Sequence, residues 1–239
     1  YMKHIAMKIT VLSLGALVAL SVVFGVVLVS ATGKTNGDSL DLLSRTLHED
    51  FDRLVRTQVE HASTMLQGIY DKSQAGEMTL DEAKKLGADL LRQLRYDKEG
   101  YFWADTTEGI NVVLLGKADV EGKSRWESKD AQGKLLVQEI IKSGMQEGGG
   151  FTDYWFPRAG QTEPLPKRSY SLLFEPFGWV IGTGNYIDDI QKILDEKKAV
   201  MDGAANTLKL IVLLIILLAL AVSGAISWLL GKRISVPIR

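Results

Sequence analysis

The 239-residue sequence predicts an α+β domain, a five-stranded antiparallel sheet with a long N-terminal helix, carried between two transmembrane helices. Three observations predict it. Residues 9–33 and 210–231 contain no charged side chain, and each run exceeds the roughly 20 residues that cross a bilayer as a helix. A stripe of apolar residues at steps of three and four runs through residues 40–70, the spacing of one helical face. Five short segments rich in aromatic and β-branched residues come later, separated by glycine and proline, as a meander of short strands requires.

Residues 1–8 form a short stub carrying Lys3 and Lys8, and residues 9–33 are the first span. This run is longer than the roughly 7 to 15 apolar residues of a signal-peptide core, and Val29-Ser30-Ala31 is a poor cleavage site, so an uncleaved anchor is expected. Gly15, Ala19, Ser21 and Gly25 offer small surfaces for close helix packing. The stripe that follows consists of Leu43, Leu47, Phe51, Leu54, Val55, Val59, Ala62, Leu66 and Ile69. At 1.5 Å per residue its helix reaches roughly 45 to 50 Å, more than one small domain covers. Part of it is therefore expected to meet a second copy or to extend the membrane helix, and the natural inference is a homodimer.

Thr79-Leu80-Asp81-Glu82 is a capping box that starts a second helix, with Leu80, Ala83, Leu86, Leu90, Leu91 and Leu94 on its buried face. Strands are predicted at 100–105, 108–115, 150–156, 168–174 and 179–186. A helix over 134–145 separates the second from the third and stops at the triple glycine 148–150. The segment 157–167 holds three of the five prolines and is expected to be a loop. Asp188 and Asp189 cap a last helix whose charged body runs on toward the second span, 210–231, where Trp228 suits an interfacial anchor.

Charge sharpens the partition. All 29 acidic residues lie within 34–209, with 23 of the 28 basic ones, a net of −6 for that domain. Lys3, Lys8, Lys232, Arg233 and Arg239 flank the spans from outside it, and basic residues beside spans mark the cytoplasmic side. Both termini are expected in the cytoplasm and the acidic domain outside a two-pass membrane protein. Such a layout excludes a cytosolic enzyme and a nucleic-acid partner. Zero cysteines exclude disulfides and thiolate metal sites. His4, His48 and His61 have no partners at metal or catalytic spacing, so no catalytic residue, metal or cofactor is expected. Gly178 to Gly184 is glycine-rich but lies in a strand, which marks close backbone packing and not a phosphate loop.

What remains is an aromatic set with a few cations. Tyr101 and Trp103 share one face of the first strand, Thr152, Tyr154 and Phe156 share a face of the third, and Lys167 or Arg168 opens the fourth beside Tyr170. Rings and hydroxyls around one cation suit a small carboxylate. Strand parity puts Lys167 and Tyr170 on opposite faces unless a bulge intervenes.

The runs Gly100-Tyr101-Phe102-Trp103, Val120-Glu121-Gly122-Lys123, Asp130-Ala131-Gln132-Gly133-Lys134, Gly149 to Pro157, Pro166-Lys167-Arg168-Ser169-Tyr170 and Gly178 to Ile190 resemble, in order, a single Cache sensor domain of type 2. The resemblance covers residues 40–195 and implies a PAS-like fold. Residues 232–239 resemble the opening of a HAMP linker, with the rest of the linker and a signalling module expected to follow. Together these imply a bacterial transmembrane chemoreceptor, a methyl-accepting chemotaxis protein of the inner membrane, whose periplasmic domain, 34–209, binds acetate, propionate, pyruvate, lactate or a similar acid. Cytoplasmic signalling proteins would be its output partners. On the family pattern, Lys167 supplies the positive charge, Tyr154 and Tyr170 donate to the carboxylate, Tyr101 and Trp103 enclose the alkyl part, and Arg95 is the competing cation. Many members end the second strand in His-Pro where this chain has Leu114-Leu115. Alternative readings are the sensor part of a histidine kinase or cyclase, or a membrane-anchored binding module without signalling output.

Overall fold

The computed structural model describes residues 2–97, 99–115 and 117–234. Residues 235–239, which carry most of the HAMP-like segment, lie outside it. Two compact units emerge, one of residues up to 43 with those from 194 on, the other of residues 44–193.

The first unit is helical. It holds the start of α1 (Met2–Gln74) and the end of α4 (Ile187–Ile234), two helices long and apolar enough to cross a membrane by length and composition. The stripe helix therefore extends the first apolar run, one of its two expected fates, and the exit helix runs on into the second as expected. No proline interrupts either helix within these bounds, and proline is the usual helix breaker. Of the two glycines in the first apolar run's small set, Gly25 is used for close packing, since a Cβ there would lie 2.5 Å from Val212 Cγ1, whereas one at Gly15 would meet nothing within 4 Å. Near the end of α4, Lys232 stacks on Trp228 with 3.8 Å to the ring centroid.

The second unit is an α+β domain. After the stripe of α1 come α2 (Leu80–Gln93), β1 (Arg95–Tyr96), β2 (Gly100–Thr106), β3 (Asn111–Leu114), α3 (Leu136–Gly144), β4 (Gly150–Pro157), β5 (Pro164–Phe174) and β6 (Trp179–Tyr186). All pairings are antiparallel. The main sheet runs β3-β2-β6-β5-β4, and the two-residue β1, which the sequence did not signal, extends the β3 edge of β2. The capping box at Thr79 is formed in both directions. A turn at 107–110, with Gly109 at φ 80°, joins β2 to β3.

One predicted loop is partly strand. Only 158–163 is irregular, because β5 begins at Pro164 and pairs through Pro166 with β4. Proline is tolerated there because it breaks no ladder bond. Trp155, opposite Pro166, sends its N–H away from β5 to Asp130 Oδ2, so this pair exchanges no hydrogen bonds. On its other side β6 ends at Tyr186, opposite Lys167, leaving Pro166 at a free edge.

Pleat alternation then sorts the side chains into two cores. Phe102, Ala104, Tyr170, Phe174, Trp179 and Ile181 face α1 and α2, where Val55, Val59, Ala62, Leu66 and Ile69 of the stripe are buried. Tyr101, Trp103, Tyr154 and Val180 face the other way, under Leu136, Val137, Ile140 and Ile141 of α3. Arg168 ties the first layer together, donating from Nε and Nη2 to both carboxylate oxygens of Asp52 on α1 at 2.7 and 3.0 Å.

Leu66 is fully buried at the centre of the α1 contact. Leu66→Ala is expected to cost about 2 to 5 kcal/mol, transfer plus cavity, read as a lower denaturant midpoint at unchanged slope. A cost under about 1 kcal/mol would mean that α1 does not pack on the sheet as described.

Candidate functional site

The site grows from the α3 side of the sheet, where β2, β4, β5 and β6 converge. Lys167 leaves β5 toward this face and is only 1% exposed. Its Nζ donates to Tyr101 Oη at 2.9 Å and lies 4.3 Å from the Tyr101 ring centroid, 5.1 Å from Tyr186, 5.2 Å from Trp103 and 5.6 Å from Phe156. Among the described residues it has no carboxylate partner. Four rings around one ammonium offset part of its desolvation cost, but two of its three N–H donors have no acceptor among the described bonds.

Small residues make the room. Ser169 and Ser171 follow Lys167 on its face of β5, and Gly182 and Gly184 lie beside them on β6. A Cβ at Gly182 would sit 2.6 Å from Trp103 Cζ2, so the glycine-rich strand is, as expected, a place of close packing under an indole. Tyr101, Trp103, Leu114, Arg125, Leu136, Ile140, Tyr154 and Phe156 enclose a cavity of about 10 Å³, which holds about one water. A second cavity of about 210 Å³ reaches Tyr154 and Lys167 from the side of Asp130 and Lys134.

Burial pushes the Tyr154 phenol strongly up, and does the same to Tyr186. Both rings therefore stay neutral at physiological pH. The Tyr186 hydroxyl donates to the Pro157 carbonyl at 2.7 Å. Below the cavity, Asp105 of β2 is wholly buried. Burial raises its carboxyl, while Arg125 and the Asn111 amide, 2.9 Å away, pull it back down.

Of the sequence-predicted site residues, the structure brings together Lys167, Tyr154, Tyr101 and Trp103. Tyr170 is not with them. It points to the α1 face, as parity requires, where its hydroxyl donates to the Gly148 carbonyl and its ring packs 5.0 Å from Phe151. Arg95 is also elsewhere: it is exposed and donates to the Arg92 and Leu94 carbonyls. Two members escaped the sequence reading. Tyr186 takes the place expected of Tyr170, and its signal was pairing, since it stands directly opposite Lys167. Arg125 comes from an irregular segment whose position no periodicity encodes.

Tyr186 also faces outward. The Arg158 guanidinium stacks on its ring at 4.2 Å and pairs with Asp188 and Asp189 of α4, each at 2.9 Å, and with Glu99 at 2.7 Å. The first turn of α4 is thus tied, through Arg158 and Tyr186, to the ring cluster around Lys167. Among the described residues no group of three or more His, Cys, Asp or Glu side chains is placed to hold a metal.

A family model described as Single Cache domain 2 matches residues 47–199. The methyl-accepting chemotaxis protein McpP of Pseudomonas putida is 28% identical over 182 residues, 73% of this chain and 34% of that protein. A sensor histidine kinase, MctS of Rhizobium johnstonii, is 26% identical over 153 residues, 64% of this chain and 32% of that one. The chain spans about a third of the length of these curated relatives. Among solved structures, a periplasmic sensor domain of a chemotaxis protein is 36% identical with a TM-score of 0.57, over 60% of this chain and 99% of that one. A Cache chemosensory domain, solved for the structural basis of carboxylic acid recognition, is 28% identical with a TM-score of 0.57, over 60% of this chain and 97% of that one.

A buried ammonium without a carboxylate partner is a cost to folding. Lys167→Met, which keeps the chain length and removes the charge, is expected to stabilise the domain by about 1 to 4 kcal/mol, measured by denaturant unfolding. Marked destabilisation would show that Lys167 is a structural cation.

Proposed function

The chain belongs to the single Cache domain 2 family, and from that membership we propose that residues 34–209 bind a small monocarboxylate outside a bacterial inner membrane. Residues 9–33 and 210–231 serve as the two spans, with both termini cytoplasmic. One observation carries the ligand class: Lys167 is a fully buried cation with spare donors, ringed by phenols and indole, and without a carboxylate partner among the described residues. An anionic oxygen completes that set better than any neutral group. The likeness to a domain solved for carboxylic acid recognition supports the same reading.

The output we propose is chemotaxis. Ligand binding shifts the domain between two states, and the change leaves through α4 to a HAMP linker at 232–239 and a cytoplasmic signalling module of the methyl-accepting type. The Arg158 clamp on Asp188 and Asp189 supports α4 as the exit. The similarity to MctS favours a second reading, in which the same sensor domain drives a histidine kinase.

A homodimer belongs to this proposal. Val55, Val59, Ala62, Leu66 and Ile69 of the stripe are buried on their own domain, but Leu43, Leu47, Phe51 and Leu54 are only partly covered. A second copy fits that half of α1.

Calorimetry on the full chain in lipid nanodiscs tests the ligand. Two- to four-carbon acids should bind with micromolar to millimolar affinity, roughly −8 to −4 kcal/mol. Lys167→Ala should abolish binding, because the ligand's charge would be buried unpaired. Arg168→Ala, on the opposite face, should keep it. Heat only with amines, or a lysine variant that still binds, sinks the carboxylate reading. For the dimer, Leu47→Cys or Phe51→Cys should crosslink between chains in membranes. Silence at both positions removes the proposed interface.

A further inference from the structure

Asp105 is a buried titratable group that the carboxylate reading leaves unused. It sits on β2 where the pairing with β3 shifts register between Ala104 and Asp105, and such irregularities re-aim a side chain. Its side chain is 1% exposed. Asn111 Nδ2 donates to Oδ1 at 2.9 Å, and a single nitrogen of Arg125, Nη1, is shared between the two oxygens at 3.2 and 3.3 Å. Strong charge-assisted pairs run at about 2.7 to 2.9 Å and use two guanidinium nitrogens, as Arg168 does with Asp52. Asp105 is therefore a carboxylate taken out of water with weak compensation. Few other groups face it. β4 brings the Tyr154 phenol, which senses the Asp105 charge, β6 sets Val180 opposite, and the side chains that α3 buries are aliphatic. Burial outweighs Arg125 and Asn111 and leaves the carboxyl above its ordinary value.

A second observation lies beside it. Asn111 Oδ1 is buried and has no hydrogen-bond partner among the described residues, while Nδ2 of the same amide donates to Asp105 Oδ1 and to the Ala104 and Val113 carbonyls. An ionised carboxyl only accepts, so it cannot satisfy that oxygen, whereas a protonated one carries an O–H donor. The pair is one donor short while Asp105 is charged, and a proton supplies it.

We propose that Asp105 is a proton-operated switch: on acidification it takes a proton from water, donates that O–H to Asn111 Oδ1 and lets go of Arg125. With the domain outside the membrane, as proposed above, the proton comes from the medium. What moves is the segment between β3 and α3. Backbone bonds lay residues 122–125 along β3 and its turn, from Gly122 N to the Asn111 carbonyl, from Asn111 N to the Lys123 carbonyl and from Arg125 N to the Gly109 carbonyl. Arg125 adds a charged tie to the interior. Without its anion the guanidinium leaves for water, and the neighbouring Trp126, half-exposed over Gly109, shifts with it.

The experiment titrates the full chain in lipid nanodiscs downward from neutral pH with two readouts. One is the infrared carboxylic-acid band that disappears in Asp105→Asn, the other the fluorescence of Trp126, taken as the difference from Trp126→Phe. Both should change in one transition whose midpoint lies above the ordinary aspartate value of about 3.9. Asp105→Asn, which has the shape and the donor of the protonated acid, should show the acid fluorescence at every pH. Arg125→Gln removes the cation that favours the charged form and should move the infrared midpoint up by about a unit or more, about tenfold in proton affinity. Absence of an Asp105 band above a pH of about 4 overturns the proposal, as does a Trp126 signal that stays flat through the infrared transition. If Asp105→Asn fails to fold, Arg125→Gln decides: an acid band whose midpoint ignores the loss of Arg125 is not that of Asp105, and the switch falls. No outcome depends on a bound acid, so the carboxylate reading stands or falls separately.

Discussion

Two neighbouring cations leave β5 through opposite faces of the sheet, and the domain is arranged around where each of them goes. Arg168 crosses to α1 and locks onto Asp52, which is itself partly buried. Lys167 enters the other layer and meets rings in place of a carboxylate. The difference is one of solvation. An arginine paired bidentately at the edge of a core stabilises the contact between helix and sheet, whereas a lysine taken out of water among phenols holds its charge at a cost. One side of the sheet is built for stability, and on the other, among the described residues, Lys167 keeps a charge without a carboxylate, which the proposed ligand would balance.

That division explains how much was legible in the sequence. The apolar stripe of α1, the Thr79 capping box and the aromatic strands all obey local periodicity, and the structure follows them closely. Parity alone told Lys167 from Tyr170, and the observed faces agree with it. Positions that depend on pairing between distant strands were harder to read. Tyr186 belongs to the cluster because β6 runs antiparallel to β5 in a register that sets it against Lys167, and no window of residues states a register. Pro164 and Pro166 look like loop residues until the free edge beside them is known. Arg125 and Asp105 meet across 20 residues of chain that include an irregular segment, beyond the reach of any spacing rule. Arg95 was a reasonable cation by proximity in sequence to Tyr101, yet β1 turns it to solvent.

The cavity face also departs from the packing habits of a core. Gly182, Gly184, Ser169 and Ser171 place almost no side-chain volume where larger residues would give a denser layer, and the Trp103 indole settles onto the space above Gly182. Ser171 Oγ and Trp103 Nε1 are both buried and have no hydrogen-bond partner among the described residues. Such unmet polar atoms are uncommon in native interiors. Concentrated beside a caged ammonium, they suit the recognition role proposed for this face, with stability supplied from the α1 layer.

Tyr186 stands at the boundary of that region with a cation on either side, Lys167 Nζ at 5.1 Å and Arg158 at 4.2 Å from its ring. A ring so placed cannot respond to one without altering its hold on the other, and Arg158 in turn grips the first turn of α4. Thermodynamic reciprocity then applies in both directions. If an anion is held beside Lys167 as proposed, whatever strains or relaxes α4 must change that hold by the same factor with which the anion changes α4. On that proposal, affinity measured on a fragment cut free of the two apolar helices is a different quantity from affinity in the intact chain, and the ratio of the two reports the mechanical work available to the signal.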